Sequence, residues 1–251
     1  MSNKINLFVN YQLTSADAPA EETEWMSRAD ALIIDPCRCD IDVFHQLPVD
    51  HAVIYSADPE RDLRWHENNL NQWVCDDGLE QTARLRDRWQ ELDWVPHLTV
   101  YSPQTRYGFS GPALGEGFSF YMPDTSTIKR WRVSDEDMLL SEAVTRAATL
   151  GFSTLWLHSA EAESKARGLE LEMLDKTRGG SQDIWISGGV SEYNHLQNLA
   201  KVGGASAVVI SEKLAREISV ENLSHALEPV FPDYEEVTVH CVECPSQVEK
   251  G

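Results

Sequence analysis

Apolar and polar positions follow two rhythms along this chain: compact apolar runs of four or five residues, and longer stretches in which apolar residues recur every three or four. The compact runs predict strands at residues 6–10, 31–35, 52–56, 72–75, 97–101, 154–158, 184–187 and 207–211. A further run at 117–122 follows a glycine-rich stretch and is read as a hairpin partner or an extension of the fifth strand. The three-to-four rhythm predicts helices between the strands. In one, over 134–150, Ser134 stands at the N-cap, Leu140, Ala143, Val144, Ala147 and Ala148 form the apolar stripe, and Gly151 follows the end. A second covers 79–92, with Leu85, Trp89 and Leu92 on one face. A third starts at Ser191 as N-cap, buries Leu196, Leu199 and Ala200, and stops at Gly203.

Strand followed by helix, repeated throughout, implies a parallel sheet. A chain of 251 residues is the usual size for the closed form of that sheet. The expected fold is therefore α/β, a (β/α)8 TIM barrel of the ribulose-phosphate-binding type, over residues 1–230. Residues 231–251 form an acidic C-terminal tail with a strand-like run at 237–242.

The most informative segment begins at Ile184-Trp185-Ile186, apolar on both faces as a parallel strand must be. It continues as Ser187-Gly188-Gly189-Val190-Ser191. Two glycines at a strand end let backbone amides approach an anion with no side chain between. Gly188, Gly189, Val190 and Ser191, with Ser211 at the end of the next strand, are the expected phosphate contacts.

Charge narrows the partners. Formal net charge is −20, from 41 acidic and 21 basic residues, which opposes nucleic acid and anionic membranes as partners. No apolar run reaches the roughly 20 residues of a membrane span, and residues 1–5 lack the pattern of a secretory leader, so a cytoplasmic location is expected. Five cysteines, an odd number without an export signal, are expected as thiols: Cys37, Cys39, Cys75, Cys241 and Cys244. Asp35-Pro36-Cys37-Arg38-Cys39-Asp40 and His240-Cys241-Val242-Glu243-Cys244 admit a metal or redox reading, but their spacing is not that of a closed zinc site, and the expectation is no metal and no cofactor.

Residues 134–214 resemble the second half of the histidine-biosynthesis barrels, ProFAR isomerase and the cyclase subunit of imidazole glycerol phosphate synthase. The pieces that carry it, in order, are the helix over 134–150, Gly151-Phe152-Ser153 leading into Thr154-Leu155-Trp156-Leu157-His158, residues 168–174, Ile186-Ser187-Gly188-Gly189-Val190-Ser191, and residues 205–210. The resemblance implies a barrel that acts on a phosphorylated small molecule. It also implies two catalytic carboxylates at the ends of the first and fifth strands. Asn10 and Tyr101 stand there instead, and neither an amide nor a protonated phenol replaces a carboxylate at neutral pH. Ser211 and Glu212 replace the family's glycine and basic residue after the last strand; an inward Glu212 would repel phosphate.

Proton chemistry then falls to other side chains at the strand ends, where barrel enzymes work. Asp35, Asp76 and His158 are the candidates, the imidazole titrating nearest neutrality. Asp58, Asp77, Asp124, Lys165 and Arg167 stand on the same side, and Trp65 and Trp131 are read as rings that could stack on a ligand. Three functions fit: an isomerase or lyase with rearranged acid and base in a biosynthetic pathway, a non-catalytic ligand-binding barrel, or an assembly subunit that docks a protein partner through its tail.

Overall fold

The computed structural model describes residues 4–11, 25–39, 41–45, 51–66, 70–102, 107–108, 122–123, 131–133, 138–218 and 227. Eight parallel strands close into a barrel: β1 (Asn6–Tyr11), β2 (Ala31–Ile34), β3 (Ala52–Tyr55), β4 (Gln72–Cys75), β5 (Asp93–Tyr101), β6 (Thr154–Ser159), β7 (Asp183–Ser187) and β8 (Ala207–Ser211). Each pairs with the next, and β8 pairs with β1 through Asn6–Ala207 to Asn10–Ser211, so the sheet is a TIM barrel without a free edge. Helices α1 (Ile41–Phe44), α2 (Leu63–His66), α3 (Leu79–Arg88), α4 (Leu140–Thr149), α5 (Ala160–Lys165), α6 (Glu172–Asp175), α7 (Tyr193–Val202) and α8 (Glu212–Glu217) lie between or after the strands. Among the described residues no helix is long and apolar enough to cross a membrane.

The strands have this form because both of their faces are apolar. Side chains alternate sides along a strand, so Leu155 and Leu157 join the shell under the helices while Trp156 between them enters the lumen. The lumen is packed by Phe8, Ala31, Ile33, Val53, Val74, Val95, Trp156, Trp185, Ala207 and Val209. Phe8 meets Trp185 edge to face at 4.7 Å, an arrangement that aromatic quadrupoles favour.

Strand boundaries agree closely with the apolar runs except at β5, which starts at Asp93 rather than at His97. Asp93 and Pro96 are poor strand formers, but Trp94 and Val95 are buried and Pro96 pairs with Cys75. At its far end β5 outlasts β4 and pairs antiparallel with Arg132–Val133, which pairs in turn with Met138–Leu139. That pairing explains why α4 begins at Leu140 and not at Ser134: residues 138–139 are held extended. Ser134 itself lies outside the described residues. Glu142 accepts the Leu139 amide at 3.3 Å and so caps the helix from within.

Two other expectations are corrected. Helix α3 stops at Arg88, with Leu92 buried beyond its end. Ser191 does not cap α7, which starts at Tyr193; the Ser191 hydroxyl donates to the Ala166 carbonyl at 2.9 Å, and its amide donates to His195 Nδ1 at 3.2 Å. Of the 117–122 run only Met122 is described, in a pair with Gly108. The tail over 231–251 lies outside the described residues.

Candidate functional site

Every barrel strand reaches the mouth with the same couplet, an inward apolar residue and, two positions on, a polar one. The couplets are Phe8 and Asn10, Ile33 and Asp35, Val53 and Tyr55, Val74 and Asp76, Val95 and His97, Trp156 and His158, Trp185 and Ser187, and Val209 and Ser211. All eight apolar members belong to the lumen cluster. Period-two alternation therefore stacks a ring of polar groups on an apolar plug, at the C-terminal strand ends where loops can reach a ligand.

A cavity of about 100 Å3 opens in one sector of this ring, lined by Asn10, Trp156, His158, Glu163, Ser187, Gly188, Val190, Val209, Ile210 and Ser211. Of the expected phosphate contacts, Gly188, Val190 and Ser211 are there. Gly189 and Ser191 are not in its wall. Ser211 is also the N-cap of α8, its hydroxyl accepting the Leu214 amide at 3.3 Å. No lysine or arginine is among the lining residues. Glu212 is turned along α8 and accepts from Arg216 Nε at 2.9 Å, so it does not line the cavity.

The glycine turn has a second reason for its sequence. Gly188 and Gly189 have φ of +98° and +88°, in the left-handed region. A Cβ on Gly188 would overlap the Ser159 carbonyl, and one on Gly189 would overlap the Gly168 carbonyl. The Gly189 amide is engaged: it donates to Glu163 Oε2 at 2.7 Å. The turn does hold an anionic oxygen, and that oxygen belongs to α5 of the same chain.

Around the mouth, the ring forms two hydrogen-bonded chains, one of them ending at Ser187 beside the glycine turn. Tyr55 Oη donates to Asp76 Oδ2 at 2.8 Å and lies 3.1 Å from His97 Nδ1. Trp156 Nε1 donates to Ser187 Oγ at 2.7 Å, and Ser187 Oγ lies 2.9 Å from His158 Nδ1. The rings of His97 and His158 are 5.6 Å apart, and Trp156 packs 4.4 Å from His97. Burial, with His158 beside it, pushes the His97 pKa down to about 4. Burial also lowers that of His158, against the pull of Glu163. The Tyr55 phenol is driven up by burial and by Asp76. At neutral pH both imidazoles are uncharged.

The candidate acids and bases thus separate. His158 is in the cavity wall, and Asp76 reaches the ring through Tyr55. Asp35 is occupied by its own loop, accepting the Cys37 amide at 2.9 Å and pairing with Arg38 at 3.3 Å. Asp58 holds the Arg61 amide at 3.1 Å in the loop after β3, where Asp62 is buried against Ser56 and Arg61. Arg167 pairs with Glu170. Trp65 and Trp131 are 4% and 6% exposed in the shell under the helices, so neither offers a face to a ligand. Cys39 and Cys75 are buried, Cys37 is exposed, and no group of three or more metal-binding side chains occurs among the described residues. Cys241, Cys244 and Asp124 lie outside the described residues. Tyr55, His97, Glu163 and Ser187 were not candidates on sequence grounds; the apolar-x-polar couplet would have found three of the four.

No protein-family model and no curated protein matches this sequence. Among solved structures it is similar to a chain of the Amycolatopsis orientalis BexX/CysO complex, at 15% identity, with 90% of this chain and 87% of that one covered and a TM-score of 0.53. It is also similar to 3-hexulose-6-phosphate synthase from Salmonella typhimurium, at 12% identity, with 89% and 98% covered and a TM-score of 0.55. The likeness is one of fold.

Proposed function

We propose that this protein binds a phosphorylated small metabolite at the barrel mouth and performs isomerase- or lyase-type proton chemistry on it in a biosynthetic pathway. The observation that carries the reading is the Gly189 amide with its carboxylate acceptor at 2.7 Å, beside the cavity that Gly188, Val190 and Ser211 line. An amide that holds a carboxylate oxygen holds a phosphate oxygen by the same charge-assisted bond. In this reading the ligand's phosphoryl group displaces Glu163 and takes Gly188, Gly189, Val190, Ser191 and Ser211 as its neighbours. His158 and Asp76 then serve the proton transfer, with Asp35 further out. The resemblance of residues 134–214 to the histidine-biosynthesis barrels and the sugar-phosphate named by one structural neighbour support the same ligand class.

A non-catalytic barrel is the second reading. Asn10 lines the cavity where the resembled family has a carboxylate, and Tyr101 is 39% exposed at the far end of β5. Docking through the tail belongs to that reading.

Calorimetric titration with sugar phosphates, set against their unphosphorylated counterparts, tests the phosphate seat. Glu163→Gln removes a like charge from the seat and is expected to tighten phosphate binding about tenfold, roughly 1.4 kcal/mol. If neither the native protein nor Glu163→Gln distinguishes phosphorylated from unphosphorylated sugars, the reading is wrong.

A further inference from the structure

Hydrogen-bond bookkeeping around the two histidines fixes where their protons are. Tyr55 has one hydroxyl proton, and it goes to Asp76, since a carboxylate only accepts. The contact of 3.1 Å to His97 can then be a hydrogen bond only if His97 Nδ1 carries the proton and the phenol oxygen accepts it. The other nitrogen, Nε2, is left as a bare lone pair, and it is buried without a protein partner among the described residues. A buried acceptor left unmet is costly, and native folds seldom retain one without a use for it.

His158 is set the other way. Ser187 Oγ receives the Trp156 indole proton and is buried, and His158 Nδ1 lies 2.9 Å away as the acceptor for its own proton. Ser187 therefore donates to Nδ1, and the His158 proton sits on Nε2. Two neutral imidazoles 5.6 Å apart are thus held in opposite tautomers, one by Tyr55 with Asp76, the other by Ser187 with Trp156.

We propose that His97 and His158 form a paired seat at the barrel mouth, His97 Nε2 accepting and His158 Nε2–H donating, for a ligand that carries a hydroxyl next to a carbonyl. An α-hydroxycarbonyl offers a donor and an acceptor on adjacent carbons, the complement of this pair. His97 is not in the cavity wall and its Nε2 is buried, so a ligand in the cavity reaches it by parting His158 and Trp156, which line the cavity and pack against His97. Tyr55 is a positioning residue for this pair, and Asp76 sets it by accepting the Tyr55 proton, apart from its part in the proposed proton transfer. The proposal rests on the mouth being the ligand site but not on the phosphate seat, so the two can fail separately. Ionisable groups facing the pair are Tyr55 from β3, Asp76 from the end of β4 and Glu163 from α5.

Long-range 1H–15N spectra of uniformly 15N-labelled protein read the tautomers directly. Near neutral pH, His97 is expected to show a protonated Nδ1 and a bare Nε2, and His158 the reverse. Hydroxyacetone, which has no phosphate, should shift His97 Nε2 and His158 Nε2, whereas acetone, which has no hydroxyl to donate, should leave the His97 nitrogen unmoved. Tyr55→Phe should release His97 into a tautomer mixture, a change that loss of packing alone would not produce; Asp76→Asn supplies the same test if that variant does not fold. Matching tautomers on the two rings, or no response to hydroxyacetone, overturns the proposal. Inorganic phosphate, read at the Gly189 amide, reports on the phosphate seat in the same sample.

Discussion

His97 shows how one buried side chain ties stability to pH. Its pKa falls from 6.5 to about 4 in the folded protein, so the unfolded chain binds a proton first as pH drops. Stability from this group is complete above the unfolded value and is lost as pH falls toward the folded one, at about 1.4 kcal/mol per pH unit. The His158 shift has the same direction and adds to the slope. Urea unfolding free energies should fall between about pH 6.5 and 5, before most carboxylates titrate, and His97→Gln should flatten the dependence. A native slope unchanged by that substitution would mean that His97 is not the group responsible. His97 and Tyr55 were hard to find by eye because neither sits in a recognisable motif. His97 follows Pro96, which hides the first half of the strand and makes His97 read as its start, and Tyr55 reads as one more β-forming residue; only the parity shared with Val53 and Val95 marks them as inward.

At the scale of elements, the β7–α7 turn is where packing and the proposed phosphate seat use the same atoms. Gly188→Ala would push a methyl group into the Ser159 carbonyl at a φ of +98°, with backbone on both sides and no flexible side chain to move aside. The expected cost is about 3 kcal/mol or more, read as a lower urea midpoint at unchanged slope. A loss within ~0.5 kcal/mol would show that the turn relaxes freely. The glycine pair is read in the sequence as a phosphate approach; its close contact with β6 and with Gly168 was not legible there, because those neighbours are distant in the chain. Local signals did best where they were self-contained. Apolar runs marked each strand, and Gly203 marked the end of α7. They failed where pairing decides the outcome: Met138–Leu139 continues the apolar stripe of α4 but is drawn into a strand by Arg132–Val133.

For the whole molecule, closure is the robust feature and charge the adjustable one. A net charge of −20 on 251 residues sets the surface against itself. Many described cations are already in ion pairs with carboxylates, such as Arg61 with Asp62, Arg64 with Asp42 and Arg216 with Glu212, and the exposed pairs contribute little. Raising sodium chloride from about 0.1 M to 1 M shortens the screening length from roughly 10 Å to 3 Å, so the thermal midpoint should rise. A midpoint that falls instead would show that the surface pairs outweigh the repulsion. The barrel itself was readable from element order, since alternating strands and helices of this length have few other closed arrangements.

The polar ring has one more consequence, for how the strands find their alignment. Asp76, Tyr55, His97, His158 and Ser187 are linked by hydrogen bonds and ring contacts that cross from the third strand to the seventh. A slip of one residue in any of those strands would turn its polar member out of the lumen, toward the helices, and strand its partners. An all-apolar lumen would tolerate such a slip far more readily. The belt thus works as a vernier, reading the relative offset of five neighbouring strands and accepting one setting.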